Sequence, residues 1–173
     1  GEEMKLGFIG AGNMATAIFS GALRQKVLKS QDVALYDVDT QKSEEHRRAY
    51  GITVCDSAQA LADCCDIIVL AVKPIVAKGV LNALNLEGKA LISIVAGLTY
   101  QQLQENIRAN NVHILRTMPN TPLMAGCGAV AFSLPHSFKS EELAFAKELF
   151  GAIGIVEEVE ERLISAVTGI SGS

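Results

Sequence analysis

The stretch LGFIGAGNMA, residues 6–15, decides the fold of this chain. Residues 5–9 form a short, mostly apolar run, and glycines follow directly at positions 10 and 12. From Asn13 to Leu23 the apolar residues recur near the 3.6-residue period of a helix. Because glycine permits backbone conformations that other residues avoid, the pattern predicts a buried strand that turns sharply into a helix.

Short apolar runs alternate with helical patterns along the rest of the chain. The runs predict strands over residues 5–9, 33–36, 52–54, 66–72, 90–95 and 112–115, with further strands over 128–132 and 154–156. Their near-continuous apolar character is typical of strands buried on both faces of a parallel sheet. The predicted fold class is therefore α/β, a doubly wound, mostly parallel sheet of the Rossmann type, with a C-terminal segment that begins to turn helical.

Composition limits the function classes. The chain has 173 residues, 49% of them hydrophobic and 20% charged, so it can build a core. A net charge of −4 without a basic run argues against a nucleic-acid partner. No apolar stretch is long enough to cross a bilayer and no secretory signal is visible, so we expect no membrane partner and a cytoplasmic location.

The cysteines and histidines do not predict a metal site. Four cysteines, Cys55, Cys64, Cys65 and Cys127, include no C-x-x-C pair. Cys64 and Cys65 are adjacent on a predicted helix, where neighbouring side chains diverge by about 100°. We therefore expect reduced thiols, partly buried as small apolar groups. The three histidines are scattered along the chain.

The glycine turn predicts a dinucleotide-binding site. Gly10 allows the sharp turn, Gly12 removes a side chain where a pyrophosphate approaches the backbone, and Ala15 lets the helix lie close to the sheet. The helix N-terminus adds free N–H groups and the positive end of the helix dipole. The alternative is a strand-to-helix turn in which the glycines serve geometry alone.

Asp37 follows the second predicted strand, 22 residues after Ala15. At this spacing a carboxylate binds the ribose hydroxyls of the adenosine half and repels a 2′-phosphate. Lys42 is the nearest base that follows it. The residue therefore favours NAD(H) over NADP(H). The alternative is that Asp37 only starts a turn while Asp39 caps the next helix.

Two further loops follow the carboxyl ends of predicted strands, where an open α/β sheet binds its ligand. One contains Ala71, Val72, Lys73 and Pro74, and the other contains Ala96 and Gly97. Small side chains there allow close approach of a flat nicotinamide ring. For Lys73 a phosphate or ribose contact and a solvated position at a helix start both remain open.

Five segments together resemble the pyrroline-5-carboxylate reductases: GFIGAGNM at 7–14, AVKP at 71–74, AG at 96–97, MPNTP at 118–122 and VTGISGS at 167–173. The resemblance implies hydride transfer from NAD(P)H to the C=N carbon of 1-pyrroline-5-carboxylate, which gives L-proline, the last step of proline biosynthesis. Many members of that family carry a small polar residue where Asp37 stands. Two alternatives are a hydroxy-acid dehydrogenase domain and a dinucleotide sensor without chemistry.

The resemblance also implies residue roles. The adenosine and pyrophosphate would be held by Gly10, Ala11, Gly12, Asn13, Met14 and Asp37. The ribose and nicotinamide would lie along Ala71, Val72, Lys73, Pro74, Ala96 and Gly97, with Asn120 near the nicotinamide. No catalytic acid is assigned, because a protonated imine already accepts hydride readily and positioning can supply much of the rate.

Domain boundaries follow from the same resemblance. Residues 1–3 are interpreted as a remnant preceding Met4, and residues 4–158 as the dinucleotide-binding domain. Residues 159–173 are interpreted as the start of a truncated helical domain, which in the family builds the homo-oligomer and much of the substrate pocket. From this we expect the chain alone to bind cofactor and to turn over little substrate.

Overall fold

The computed structural model describes residues 4–119 and 128–164. Its eight strands are β1 (Leu6–Ile9), β2 (Val33–Tyr36), β3 (Thr53–Val54), β4 (Ile67–Leu70), β5 (Ala90–Ser93), β6 (His113–Pro119), β7 (Gly128–Leu134) and β8 (Gly154–Glu160). The helices are α1 (Asn13–Arg24), α2 (Thr40–Tyr50), α3 (Ala58–Cys64), α4 (Pro74–Ala83), α5 (Tyr100–Asn106) and α6 (Ser140–Gly151). A short 3-10 helix, Ser30–Asp32, precedes β2.

All eight strands form one sheet in the order β3-β2-β1-β4-β5-β6-β7-β8. Every neighbouring pair is parallel except β6 and β7, which are antiparallel. The chain order reverses between β1 and β4, which makes this pair the topological switch point, where doubly wound sheets bind ligands. The predicted fold class is confirmed.

Helices cover the sheet on two sides and create two cores. One core packs α1 and α6 against side chains such as Phe8, Leu35 and Phe132, and the other packs α3, α4 and α5 against side chains such as Ile68, Leu70 and Leu91. Strands β1, β4 and β5 are buried along their whole length, as the near-continuous apolar runs predict. Within the described ranges, no helix is long and apolar enough to span a membrane.

Local hydrogen bonds define the ends of several helices. Asp39, Ser57 and Thr99 each accept a backbone N–H at the start of a helix, and Thr99 with Gln102 completes a capping box. Gly51 ends α2 with a left-handed φ of 70°. These ends place the loops between strands and helices, and therefore the positions of the residues on them.

The strands toward the C-terminus are longer than predicted. Strand β6 continues to Pro119, and β8 continues to Glu160 rather than Val156. All seven residues of β8 pair with β7, although Glu157, Glu158 and Glu160 give this segment a polar sequence. β8 lies at the edge of the sheet and most of its residues are solvent-exposed, so it needs no apolar run. Its backbone pairing with β7 is what holds it in the sheet, and the sequence-based prediction, which relied on apolar runs, therefore ended too early.

Candidate functional site

A crevice opens at the switch point, between the carboxyl ends of β1, β2 and β4. Its cavity has a volume of about 400 Å³. The lining residues are Ile9, Gly10, Ala11, Gly12, Tyr36, Asp37, Val38, Lys42, Ala58, Ala71, Val72, Lys73, Val76 and Val80. Seven of the predicted binding residues, from three separate loops, therefore meet around one space: Gly10, Ala11, Gly12, Asp37, Ala71, Val72 and Lys73.

Other clefts of similar volume lie at the opposite edge of the sheet. One, about 430 Å³, includes Met4 and residues 26–29 before β2, and another, about 440 Å³, includes residues 82–85 before β5. Volume alone does not distinguish the three. Open α/β sheets bind ligands at the carboxyl ends of their strands, and only the switch-point crevice of these three lies there.

Gly10 joins the first and third loops of the crevice. Its φ of 105° lies in a region that side chains with a Cβ rarely adopt. A Cβ added here would lie 2.8 Å from the carbonyl carbon of Ala71 and closer still to its oxygen. The Gly10 amide also donates to the Tyr36 carbonyl at 2.8 Å. The fold itself therefore requires glycine at this position.

Gly12 differs from Gly10 both in its backbone conformation and in the space around it. Its φ is −70°, which any residue adopts, and a Cβ added here would meet no atom within 4 Å. The packing of the described chain therefore does not explain the missing side chain, whereas a ligand lying against the backbone does. The first amides of α1 have no acceptor within the helix, which suits a phosphate above this turn. The residues present thus fit the pyrophosphate of a dinucleotide.

Asp37 accepts backbone hydrogen bonds within the protein and also lines the crevice. One carboxylate oxygen accepts the Ala11 amide at 2.7 Å, and the other accepts the Asp39 amide at 2.8 Å. Asp39 in turn caps α2 by accepting the Lys42 amide. The hydrogen bonds therefore agree with the alternative in which Asp37 starts a turn and Asp39 caps α2. Asp37 nevertheless also lines the cavity, so the two roles are compatible. The Ala11 amide is already committed, which leaves the amides of residues 12–14 for a phosphate.

Charge and apolar surface are both present around the cavity. Lys42 and Lys73 add two positive side chains beside the single carboxylate of Asp37. Val38 and Val76 are 85% and 48% exposed, which is unusual for valine, and both lie on the wall. Such surfaces suit a flat ring such as adenine between them.

Sequence reasoning did not predict five further residues that line the cavity: Tyr36, Val38, Ala58, Val76 and Val80. Val38 directly follows Asp37 in the predicted turn, and an apolar residue in a polar turn is the signal that could have identified it. Val76 lies in the first turn of α4, and the sequence gives no signal for it, because an apolar residue on a helix is ordinarily buried. Its place on the wall depends on the packing of α4 against the sheet.

The remaining predicted binding residues lie near the crevice without lining it. Asn13 faces an adjoining cleft, and Met14 packs partly against the core. Pro74 starts α4 and is exposed. Ala96 and Gly97 are exposed on the next loop along the sheet, where Gly97 has a φ of 77°. Asn120 and most of the two motifs at 118–122 and 167–173 lie outside the described residues.

Three cysteines form a thiol cluster that the sequence argument did not foresee. Cys65 is not helical but extended, so its Sγ lies 3.8 Å from that of Cys64, which lies 4.0 Å from that of Cys55. The premise of diverging side chains was therefore wrong. Burial, reinforced by Cys64, raises the pKa of Cys55 to about 11 and raises that of Cys65 as well. Among the described residues, no group is arranged to hold a metal ion.

Comparison with known proteins confirms the resemblance seen in the sequence. The chain is 34% identical to pyrroline-5-carboxylate reductase of Synechocystis sp. over 173 residues, covering 99% of this chain and 64% of that protein. It is 37% identical to the pyrroline-5-carboxylate reductase of Glycine max, covering 99% of this chain and 63% of the relative. The chain thus spans somewhat less than two thirds of the length of these relatives.

Solved structures show the same fold. Plasmodium falciparum pyrroline carboxylate reductase, solved with NADP bound, superposes with a TM-score of 0.82 at 32% identity, over 99% of this chain and 63% of that one. A pyrroline-5-carboxylate reductase from Coxiella burnetii superposes with a TM-score of 0.89 at 24% identity, over 98% and 64% of the two chains. At that identity the second comparison supports the fold alone.

A family model described as "NADP oxidoreductase coenzyme F420-dependent" matches residues 5–97. The matched segment runs from β1 past β5 and includes every loop that lines the switch-point crevice. It covers more than half of the chain. The chain therefore belongs to this oxidoreductase family.

Proposed function

We propose that this chain is the dinucleotide-binding part of a reductase that transfers hydride from NAD(P)H to 1-pyrroline-5-carboxylate and yields L-proline. The observation that carries the proposal is the open space at Gly12, beside the first amides of α1 and at the switch point of the sheet. The substrate is proposed from the relatives, which carry the name pyrroline-5-carboxylate reductase and match 99% of this chain.

The chain's own residues would bind and orient the cofactor. The turn of residues 10–14 would hold the pyrophosphate, Asp37 the adenosine ribose, and Val38 and Val76 the two faces of the adenine. Lys73 lies on the cavity wall, and we assign its loop to the nicotinamide half, where Lys73 would contact a phosphate or a ribose hydroxyl. When bound, the cofactor supplies the hydride, and the chain's part is to fix which end of it reaches the substrate.

The preference for NAD(H) is the finer part of the proposal. The Asp37 carboxylate accepts one N–H on each oxygen and retains further lone pairs for ribose hydroxyls. The same negative charge opposes a 2′-phosphate. Lys42 acts in the other direction, because its side chain lies on the same wall and offers a cation to that phosphate. We propose that Asp37 dominates, because it lies directly at the end of β2.

Parallel titrations with NADH and NADPH, followed by nicotinamide fluorescence, test both parts. We expect tighter binding of NADH, a shift toward NADPH in Asp37→Ser, and weaker NADPH binding in Lys42→Gln. Lys78→Gln is the matched control, since Lys78 is exposed on α4 away from the cavity. Equal or NADPH-favouring binding by the unmodified chain would contradict the role of Asp37 and leave the site intact.

The substrate is tested separately, by NADH oxidation in the presence of 1-pyrroline-5-carboxylate with proline as the measured product. A protein as long as the curated relatives and containing this chain is expected to form proline. Turnover of a 2-hydroxy acid in place of the imine would favour the hydroxy-acid dehydrogenase alternative. Binding of the dinucleotide without turnover of either would favour a sensor.

A further inference from the structure

A buried arginine lies beside the loop that carries Ala96 and Gly97. Arg116, on β6, is 1% exposed, and its Nη1 lies 3.1 Å from Oε2 of Glu161, just after β8. The same Glu161 oxygen accepts the backbone N–H of Tyr100 at 2.7 Å. Tyr100 is the first residue of α5, so this carboxylate joins β6, the end of β8 and the exit of the loop.

The entrance of the same loop is held from the same strand. Ser93, the last residue of β5, lies opposite Arg116 in the sheet register. Its carbonyl accepts the Thr117 hydroxyl at 3.2 Å, and its own hydroxyl accepts the Val95 amide at 3.2 Å. Residues 94–99 are therefore fixed at one end through Thr117 and Ser93 and at the other end through Arg116 and Glu161.

A buried ion pair contributes little stability compared with apolar residues of similar volume, although losing one partner is costly. Ile114, which faces the same side of β6 two residues before Arg116, is buried in the core that packs α3, α4 and α5. A hydrophobic residue could fill such a place. The guanidinium differs from such a residue because its charge attracts the Glu161 carboxylate at 3.1 Å, although Arg116 Nε and Nη1 have no hydrogen-bond partner among the described residues. That carboxylate accepts the Tyr100 amide at the start of α5.

We propose that Arg116 and Glu161 are positioning residues that set the Ala96–Gly97 loop for the nicotinamide half of the cofactor. The inference rests on the proposed function, since it assigns that loop to the nicotinamide end. The pair acts through the Tyr100 amide and does not touch the cofactor. Its loss leaves the adenosine half, bound at the glycine turn and Asp37, unaffected.

The test compares NADH with ADP-ribose, which lacks the nicotinamide, in Arg116→Met and Glu161→Gln. Glu161→Gln keeps an oxygen acceptor but leaves the buried Arg116 cation unpaired, so the double variant Arg116→Met with Glu161→Gln, which leaves no unpaired buried charge, is tested beside the two single variants. We expect NADH binding to weaken at least about threefold while ADP-ribose binding stays constant. Arg162→Met, which removes an exposed ion pair with Glu160, is the control and should change neither.

Hydrogen exchange gives a second, cofactor-free readout. Amides of residues 94–100 should exchange faster in both variants, while those of residues 10–16 should not change. Unchanged exchange in 94–100, or parallel weakening of NADH and ADP-ribose, would overturn the proposal. If the unmodified chain bound neither ligand, the proposed function would fail and the nicotinamide role with it, and the exchange data would still decide whether the pair holds the loop.

Discussion

Replacing Gly10 and Gly12 by alanine, one at a time, separates what the fold needs from what the ligand needs. Gly10→Ala places a Cβ against the carbonyl group of Ala71 at a φ of 105°. The backbone conformation costs about 1–3 kcal/mol for a residue with a Cβ. The overlap with Ala71 costs about 1–3 kcal/mol more. We expect Gly10→Ala to lower the free energy of unfolding by about 2–6 kcal/mol.

Gly12→Ala should leave the free energy of unfolding nearly unchanged. Its φ of −70° is ordinary and the new Cβ meets no protein atom. Loss of chain entropy in the unfolded state stabilises by about 0.4–1 kcal/mol. Alanine is a poorer residue than glycine at the start of a helix, which offsets a similar amount. The two effects cancel to within about 1 kcal/mol.

Dinucleotide binding should weaken strongly in Gly12→Ala, the variant whose stability does not change. The Cβ of Gly12→Ala would occupy space beside the pyrophosphate and displace it from the helix amides. Losing one hydrogen bond to a charged group costs about 1.5–3 kcal/mol, which weakens binding on the order of 10- to 100-fold. Urea denaturation measures the stabilities and calorimetric titration with NADH measures the affinity. Unimpaired binding by Gly12→Ala, or destabilisation equal to that of Gly10→Ala, would refute the reasoning.

Two more results are expected. Val76→Asn should weaken NADH binding several-fold without loss of stability. Ile75→Asn changes the neighbouring residue, which is 91% exposed and lies outside the cavity, and should leave NADH binding unchanged. Equal weakening by both variants in calorimetric titrations would show that Val76 does not contact the adenine. The raised pKa of Cys55, about 11 against 9.0, means that the folded state holds this proton more tightly than the unfolded state, so its contribution to stability is complete below pH 9 and is lost as the pH rises to about 11. The urea midpoint should therefore fall less over that interval in Cys55→Ala than in the unmodified chain, and identical falls would contradict the assigned shift.

The sequence predicts the parts of this molecule that depend on local pattern. Runs such as residues 67–70 are apolar because helices cover both faces of the sheet. A helix cap such as Thr99 can be recognised from its residue type. The sharp turn after β1 is predictable because two glycines lie between an apolar strand pattern and a helical pattern. The sequence does not separate the two glycines, since only the approach of Ala71 makes Gly10 a requirement of the fold.

Features that depend on packing between distant elements were not predictable. The thiol cluster forms because Cys65 leaves the helix and extends, which no spacing rule indicates. Strand β8 has a polar sequence, and it forms because all seven of its residues pair with β7. The ion pair of Arg116 and Glu161 joins residues 45 positions apart, and neither carries a local signal.

A crystal structure of this chain with NADH tests the central claim most directly. We predict the pyrophosphate over Gly12 at the N-terminus of α1, the adenosine ribose beside Asp37, and the adenine between Val38 and Val76. A dinucleotide bound in the cleft that includes Met4 and residues 26–29, at the other edge of the sheet, would contradict the assignment of the crevice. So would a saturated crystal whose switch-point crevice held no dinucleotide.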